Sequence, residues 1–180
     1  MIYRITLIIL LNVFTLFNVN AQSSQREFAL KAGLIFNFAL YSQTSDSLSV
    51  LADNTHYIIC SSSKAFVEVA QKILAQKKVR HRKVKVTYVS PQMAKNICQI
   101  IFFNDNDTYA SYLTSRSEET INAMLIGEME NFINLGGHIN FIRISGKIRF
   151  EINPEQLQKS SIKVSSKVIR LGKIKKGNNL

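Results

Sequence analysis

Four carboxylates stand shortly after two strongly apolar runs of the chain and are the residues best placed for acid and base chemistry: Asp105, Asp107, Glu128 and Glu130. Such acids could serve a hydrolase if a base or a nucleophile stood beside them. No such partner accompanies them in sequence, and no G-x-S-x-G, Walker or strand-following G-x-G-x-x-G motif occurs. A hydrolase is therefore the weakest hypothesis, and we predict no catalytic residues.

The three histidines offer no metal site. His56, His81 and His138 are far apart, and none has a Cys, Asp or Glu at a metal-ligand spacing. A lone histidine at the start of a strand is more often a structural residue. We predict neither a metal nor a cofactor.

A run of hydroxyl side chains after the apolar segment HYIIC (56–60) is a candidate ligand site. Ser61, Ser62, Ser63 and Lys64 would lie where a strand ends and a helix begins, and backbone N–H groups at such a place can hold an anion. The alternative is that these serines only cap the helix. Both interpretations stay open at this point.

The first 21 residues have the features of a secretory signal peptide. Arg4 precedes an apolar stretch from Ile5 to Phe17, and Val19 and Ala21 form a cleavage pattern before Gln22. That stretch has about 13 residues, short of the roughly 20 that span a bilayer. We predict a signal peptide at 1–21, a single domain at 22–180 and a location in the periplasm.

Export changes the interpretation of the two cysteines and of the charge. In an oxidising compartment, Cys60 and Cys98 are predicted to form one structural disulfide. The net charge of +11 suits nucleic acid, anionic lipid or an acidic protein, and export argues against nucleic acid. The basic residues concentrate at 77–85 and 159–176, where a solvated surface and a binding patch both remain open.

Apolar runs alternate with helical segments and predict an α/β fold. Strands are expected at 56–60, 84–89, 98–103 and 121–127, and the connections between them are long enough for parallel pairing. The result is a single three-layer domain with a mostly parallel, doubly wound-like sheet. Helices are expected over 28–40 behind a Ser24/Glu27 capping box, over 64–76, after Ser90, from an Asp107 cap to Ser117, over 129–134, after Asn153 and over 167–174.

The stretch GGHINFIRISGKIRFEIN (136–153) breaks the parallel rhythm. Two alternating runs flank Ser145 and Gly146, so they must pair as an antiparallel hairpin, which we place at an edge of the sheet. Such an edge can meet a partner or a second copy, and Phe150, Glu151, Ile152 and Asn153 are its candidate partner-binding residues. A packing role alone is the alternative.

The chain from residue 136 to residue 174 resembles the C-terminal signature of the YfiR-like (DUF4154) family. The matching elements are Gly136, Gly137, Ile139, Phe141, the Phe-Glu-Ile-Asn run at 150–153 and the final segment at 164–169. Upstream, KAGLIFNFALY (31–41) is similar to the family's first helix, and Cys60 and Cys98 match two family positions. This chain departs from the family in the loops after the first helix and the first strand and lacks a second cysteine pair.

The resemblance implies an exported, non-enzymatic regulator. It would bind and inhibit the periplasmic part of an inner-membrane signalling protein, a diguanylate cyclase or a sensor kinase, in cyclic-di-GMP control. An OmpA-type lipoprotein would relieve the inhibition, and the protein would be a homodimer. The alternative is a periplasmic small-ligand-binding protein that uses its strand-end loops.

Overall fold

The computed structural model describes residues 23–44, 55–90, 92–93, 97–115 and 123–177. The predicted signal peptide lies outside these residues, as do most of the segment at 42–55 and most of the helix predicted after Ser90. A helix, α1, covers residues 23–40. The later elements are β1 (Ser42–Thr44), β2 (His56–Ser61), α2 (Lys64–Leu74), β3 (Lys78–Val79), β4 (Arg82–Tyr88), β5 (Ile100–Phe103), α3 (Asn106–Thr114), β6 (Met124–Gly127), β7 (Ile139–Ile144), β8 (Lys147–Ile152), α4 (Pro154–Lys159), β9 (Ile162–Val164), α5 (Ser166–Leu171) and β10 (Lys173–Ile174).

Eight of the described strands form one sheet in the order β10-β8-β7-β6-β5-β2-β4-β3. The five central strands, from β7 to β4, pair in parallel, whereas β7 with β8 and β4 with β3 pair antiparallel. The mostly parallel sheet and its hairpin confirm the predicted fold class. Among the described strands, one lies between the hairpin and the nearer edge of the sheet: β10, which has two residues and pairs in parallel with β8.

Hydrophobic side chains pack on both faces of this sheet, which gives the three predicted layers. One cluster joins α1 and α2 to the sheet, for example through Ile35, Phe66 and Phe102. The other lies under α3 and contains Tyr109 and Phe103. Strands covered on both sides read as continuous apolar runs, and this is why the sequence revealed them.

Two predicted helix starts are wrong. Ser24 and Glu27 both lie inside α1 rather than at its cap, and the Glu27 carboxylate pairs with Lys31 on the next turn. The cap of α3 is Asp105, not Asp107: its side chain accepts a hydrogen bond of 2.8 Å from the backbone N–H of Thr108. Helix α3 then ends at Thr114, before the predicted Ser117.

The C-terminal third also departs from prediction. Turns replace the helix expected at 129–134, where Asn131 has a φ of 59°. Helix α5 ends at Leu171 because Gly172 is extended and lies against the ring of Phe150, and the chain then forms β10. The short strands β1 and β9 pair as a separate ribbon that the sequence did not predict.

Candidate functional site

A groove of about 630 Å³ lies among the elements that follow the hairpin. Four of its lining residues are large and apolar: Leu157, Ile162, Val164 and Ile169. The whole lining is Gln43, Pro154, Leu157, Gln158, Ser161, Ile162, Lys163, Val164 and Ile169. Apolar lining residues beside polar groups are typical of a recognition surface.

Local capping and one long-range pairing shape the groove. Asn153 caps α4 by accepting a hydrogen bond of 3.1 Å from the backbone N–H of Gln156, and Pro154 occupies the first turn. Ser161, with a φ of 54°, turns the chain into β9. Strand β9 pairs with β1, where Gln43 is opposite Lys163, so residues of both ends of the chain share this site.

The four predicted partner-binding residues are buried beside the groove. Phe150 contacts Phe38 of α1 with ring centroids 4.9 Å apart, and Ile152 is fully enclosed. The Glu151 carboxylate pairs with the Lys175 ammonium at 3.2 Å, and Asn153 caps α4. Of the four, Asn153 acts on the groove through its cap of α4, and direct partner contact through these residues stays a prediction.

The candidate ligand residues lie together between β2 and α2. Ser61 is buried, donates to the Phe102 carbonyl and accepts from the Ser63 backbone N–H, whereas Ser63 caps α2 through the Phe66 N–H. Lys64 lies over the Tyr88 ring at 5.4 Å. Within the described residues, the buried Ser62 hydroxyl has no hydrogen-bond partner. Ser61 and Ser63 thus have structural roles, and ligand binding by this cluster stays a prediction.

Cys60 and Cys98 form the disulfide that the sequence predicts. Both are fully buried, and the bridge links the end of β2 to the residues that precede β5. The sulfurs lie in the hydrophobic cluster under α3, so the bridge is structural.

The four candidate acids are not brought together as a set. Asp105 is engaged as the cap of α3, and Asp107 lies in the first turn of that helix. Glu128 and Glu130 border a cavity of about 390 Å³ that also contacts Glu151 and Lys175. Burial raises the pKa of Glu128 against the opposing effect of Lys31. We find no acid and base pair aimed at a common point among these residues.

Lys31 is the centre of a charge cluster that sequence reasoning missed. Its ammonium is buried between the carboxylates of Glu27, at 2.6 Å, and Glu128, and Arg143 reaches the other oxygen of Glu27 at 2.5 Å. The hydrogen bond from Lys31 is the largest of the influences that lower the pKa of Glu27. The four-residue spacing of Glu27 and Lys31 was a visible signal, whereas contact with Glu128 depends on the fold.

One of the three histidines, His138, has a structural role. His138 is buried, accepts at Nδ1 a hydrogen bond of 2.8 Å from the Leu125 N–H, and its Nε2 lies 2.8 Å from the Ser160 hydroxyl. Across the described ranges, no three His, Cys, Asp or Glu side chains are grouped to hold a metal ion.

No helix of the described part is both long and apolar enough to cross a bilayer.

The described chain is a mixed α/β domain with a disulfide inside its core and a groove at its C-terminal elements. The chain is a member of the YfiR/HmsC-like family, DUF4154, whose model matches residues 28–173. No curated protein matches significantly. Among solved structures, the chain is similar to the ABC domain in complex with L-Trp from Streptococcus pneumonia, with 13% identity and a TM-score of 0.48. The match covers 77% of this chain and 60% of that chain.

Proposed function

We propose that this protein is an exported, non-enzymatic regulator that binds and inhibits the periplasmic part of an inner-membrane signalling protein. A diguanylate cyclase is the first candidate and a sensor kinase the second. The observation that carries this proposal is the family match over residues 28–173. The Cys60–Cys98 bridge fits a protein of the oxidising periplasm. Residues 1–21 would direct its export.

The groove is the surface that we assign to the signalling partner. Its apolar lining residues can contact apolar side chains of a partner, and the exposed Lys163 in the lining can select a partner by charge. Inhibition follows if the protein binds the inactive state of the partner more tightly than the active state. Equal affinity for both states would shift nothing.

Two further partners belong to the same proposal. An OmpA-type lipoprotein would relieve inhibition by competing for the regulator. A homodimer is supported by α1 and the residue after it, because Leu30, Leu40 and Tyr41 are each between 42% and 51% exposed in the single chain. A second copy would cover such apolar surface. No nucleic acid partner is proposed.

The proposed inhibition is tested by measuring cellular cyclic-di-GMP. Deleting the gene should raise the cellular concentration of cyclic-di-GMP, and restoring the intact gene should return that concentration to its starting level. Lys163→Glu, on the groove wall, should fail to restore it, whereas Lys167→Glu, which is exposed but outside the groove, should succeed. Unchanged cyclic-di-GMP in all strains would contradict a cyclase partner and leave the kinase to be tested by its phosphorylation state.

A second candidate is a periplasmic small-ligand-binding protein. The buried, unpartnered Ser62 hydroxyl at the end of β2 favours it, because such a group gains a hydrogen bond when a ligand arrives. Native mass spectrometry of gently purified protein separates the two functions. A stoichiometric small molecule that Ser62→Ala loses would favour the carrier, and ligand-free protein would favour the regulator.

A further inference from the structure

One edge of the main sheet presents a face made of lysines. Val79, Val84 and Val86 turn inward from β3 and β4 into the cluster under α1 and α2. Because side chains alternate along a strand, Lys78, Lys83 and Lys85 point to the opposite face, and all three are exposed. We refer to Lys78, Lys83 and Lys85 as the lysine face.

Among the described residues, no acid compensates the charge of the lysine face. Lys78 and Lys83 are direct partners across the antiparallel pair of β3 and β4, an arrangement that is unfavourable for like charges. No carboxylate of the described residues forms an ion pair with any of the three lysines. By contrast, Lys175 and Lys176 near the C-terminus pair with Glu151 and Glu155. A bound anion would remove the repulsion.

The lysine face lies at one end of the sheet, where β3 is the last of the described strands. In the part of the chain that the structure describes, the hydrophobic cluster under α3 includes no residue of β3 or β4, so that layer stops short of the lysines and leaves room for a flat surface.

We propose that the lysine face docks on the anionic phospholipid head groups of a membrane. A protein partner would need an apolar centre, because interface cores are enriched in aromatic residues and depleted of lysine. The only large apolar side chain exposed on β3 or β4 is Tyr88, at the end of β4, and Lys64 of α2 lies against its ring. A charged lipid surface needs no apolar anchor, since each cation near it contributes independently. This docking site is separate from the groove and does not depend on the partner proposed for the groove.

Sedimentation with vesicles tests this proposal on the oxidised, purified protein. Binding to vesicles of equal parts phosphatidylglycerol and phosphatidylcholine is expected, with affinity that falls as salt rises. The variant K78Q/K83Q/K85Q should bind about 100-fold more weakly. The variant K78R/K83R/K85R should bind like the parent, because it keeps the charges. Vesicles of phosphatidylcholine alone control for binding that does not depend on the charge of the lipid.

A matched variant separates position from net charge. K159Q/K167Q/K173Q removes three exposed lysines elsewhere and should keep most of the binding. Circular dichroism and urea unfolding check that each variant folds. Equal loss in both glutamine variants, or no loss in the lysine-face variant, would overturn the proposal. Binding to poly-glutamate but not to anionic vesicles would overturn it in favour of an acidic protein partner.

Discussion

The ammonium of Lys31 on α1 contacts the carboxylate of Glu128, which directly follows β6, although 97 residues separate them in sequence. The lysine side chain is only 5% exposed, so this pair fixes the first helix against the carboxyl end of a central strand. Glu27 and Arg143 extend the contact to β7. The predicted first helix is thus held by charge as well as by its apolar face.

Replacing Lys31 should destabilise the fold. Lys31→Gln leaves the Glu128 carboxylate without its cation in a partly buried site, and we expect the free energy of unfolding to fall by about 3 kcal/mol. The matched control is Lys176→Gln, whose exposed pair with Glu155 should contribute less than about 0.5 kcal/mol. Urea unfolding measures both variants. Equal stability of the Lys31 variant and the parent protein would contradict a structural role for this pair.

The two acids around Lys31 should give pH dependences of opposite sign. The lowered pKa of Glu27 means that its ionised form stabilises the fold above its ordinary pKa of 4.5, and that this is lost as pH falls through the folded pKa. The cost of Glu27→Gln should therefore shrink in acid. The raised pKa of Glu128 means that its contribution to stability is fully present below pH 4.5, its ordinary pKa, and is lost as pH rises through the pKa of the folded state.

Relative to the parent, Glu128→Gln should therefore gain stability as pH rises from 4 towards 7. The measurement is urea unfolding of the parent and both glutamine variants over that range and down to about pH 3. If the free energies of unfolding of Glu27→Gln and Glu128→Gln changed with pH in the same direction relative to the parent, the opposite pKa shifts described for the two carboxylates would be contradicted.

Reducing the Cys60–Cys98 bridge should lower stability. The bridge closes a loop with a sequence separation of 38, which contributes about 3 to 4 kcal/mol in the chain-entropy model. Thermal unfolding with and without reductant measures the effect, and a Cys60→Ala/Cys98→Ala variant, unaffected by reductant, is the control. We also expect the reduced protein to lose control of its partner. Thiol labelling that finds both cysteines free in periplasmic material would contradict the structural bridge.

Two glycines should respond to alanine in opposite directions. A methyl group at Gly137 would overlap the ring of the buried Phe132, and we expect Gly137→Ala to cost about 1 to 3 kcal/mol. A methyl group at Gly33 in α1 meets nothing within 4 Å, so Gly33→Ala should stabilise by about 0.5 to 1 kcal/mol. If Gly33→Ala lowered the free energy of unfolding as much as Gly137→Ala, the packing around Gly33 in α1 would differ from that described.

The parts of the fold that sequence predicted are those in which local pattern and burial agree. β2, β5 and β6 are buried runs, and β4 alternates between buried and exposed residues. Ser145, with a φ of 48°, and Gly146 form a two-residue hairpin turn that the sequence displays. The ribbon of β1 with β9 has only three residues a side, and its pairing depends on contacts between Tyr41 and Ser165 that no local pattern encodes.

The sequence pointed to a segment next to the groove, but it could not predict the groove itself. Phe150 to Asn153 end the hairpin and immediately precede Pro154, the first residue after the hairpin that lines the groove. Their alternation could not reveal that α1, through Phe38, and the β10 segment, through Lys175, cover them. The lining of the groove combines residue 43 with residues 154–169, and such a combination requires the tertiary structure.

The central claim, that the groove holds an inner-membrane signalling protein, is tested most directly by crosslinking in intact cell envelopes followed by pull-down. We expect recovery of an inner-membrane protein with a periplasmic portion, its loss with Lys163→Glu and its retention with Lys167→Glu. Recovery of soluble periplasmic enzymes only, or of the same membrane protein with both variants, would show that the groove does not bind such a partner.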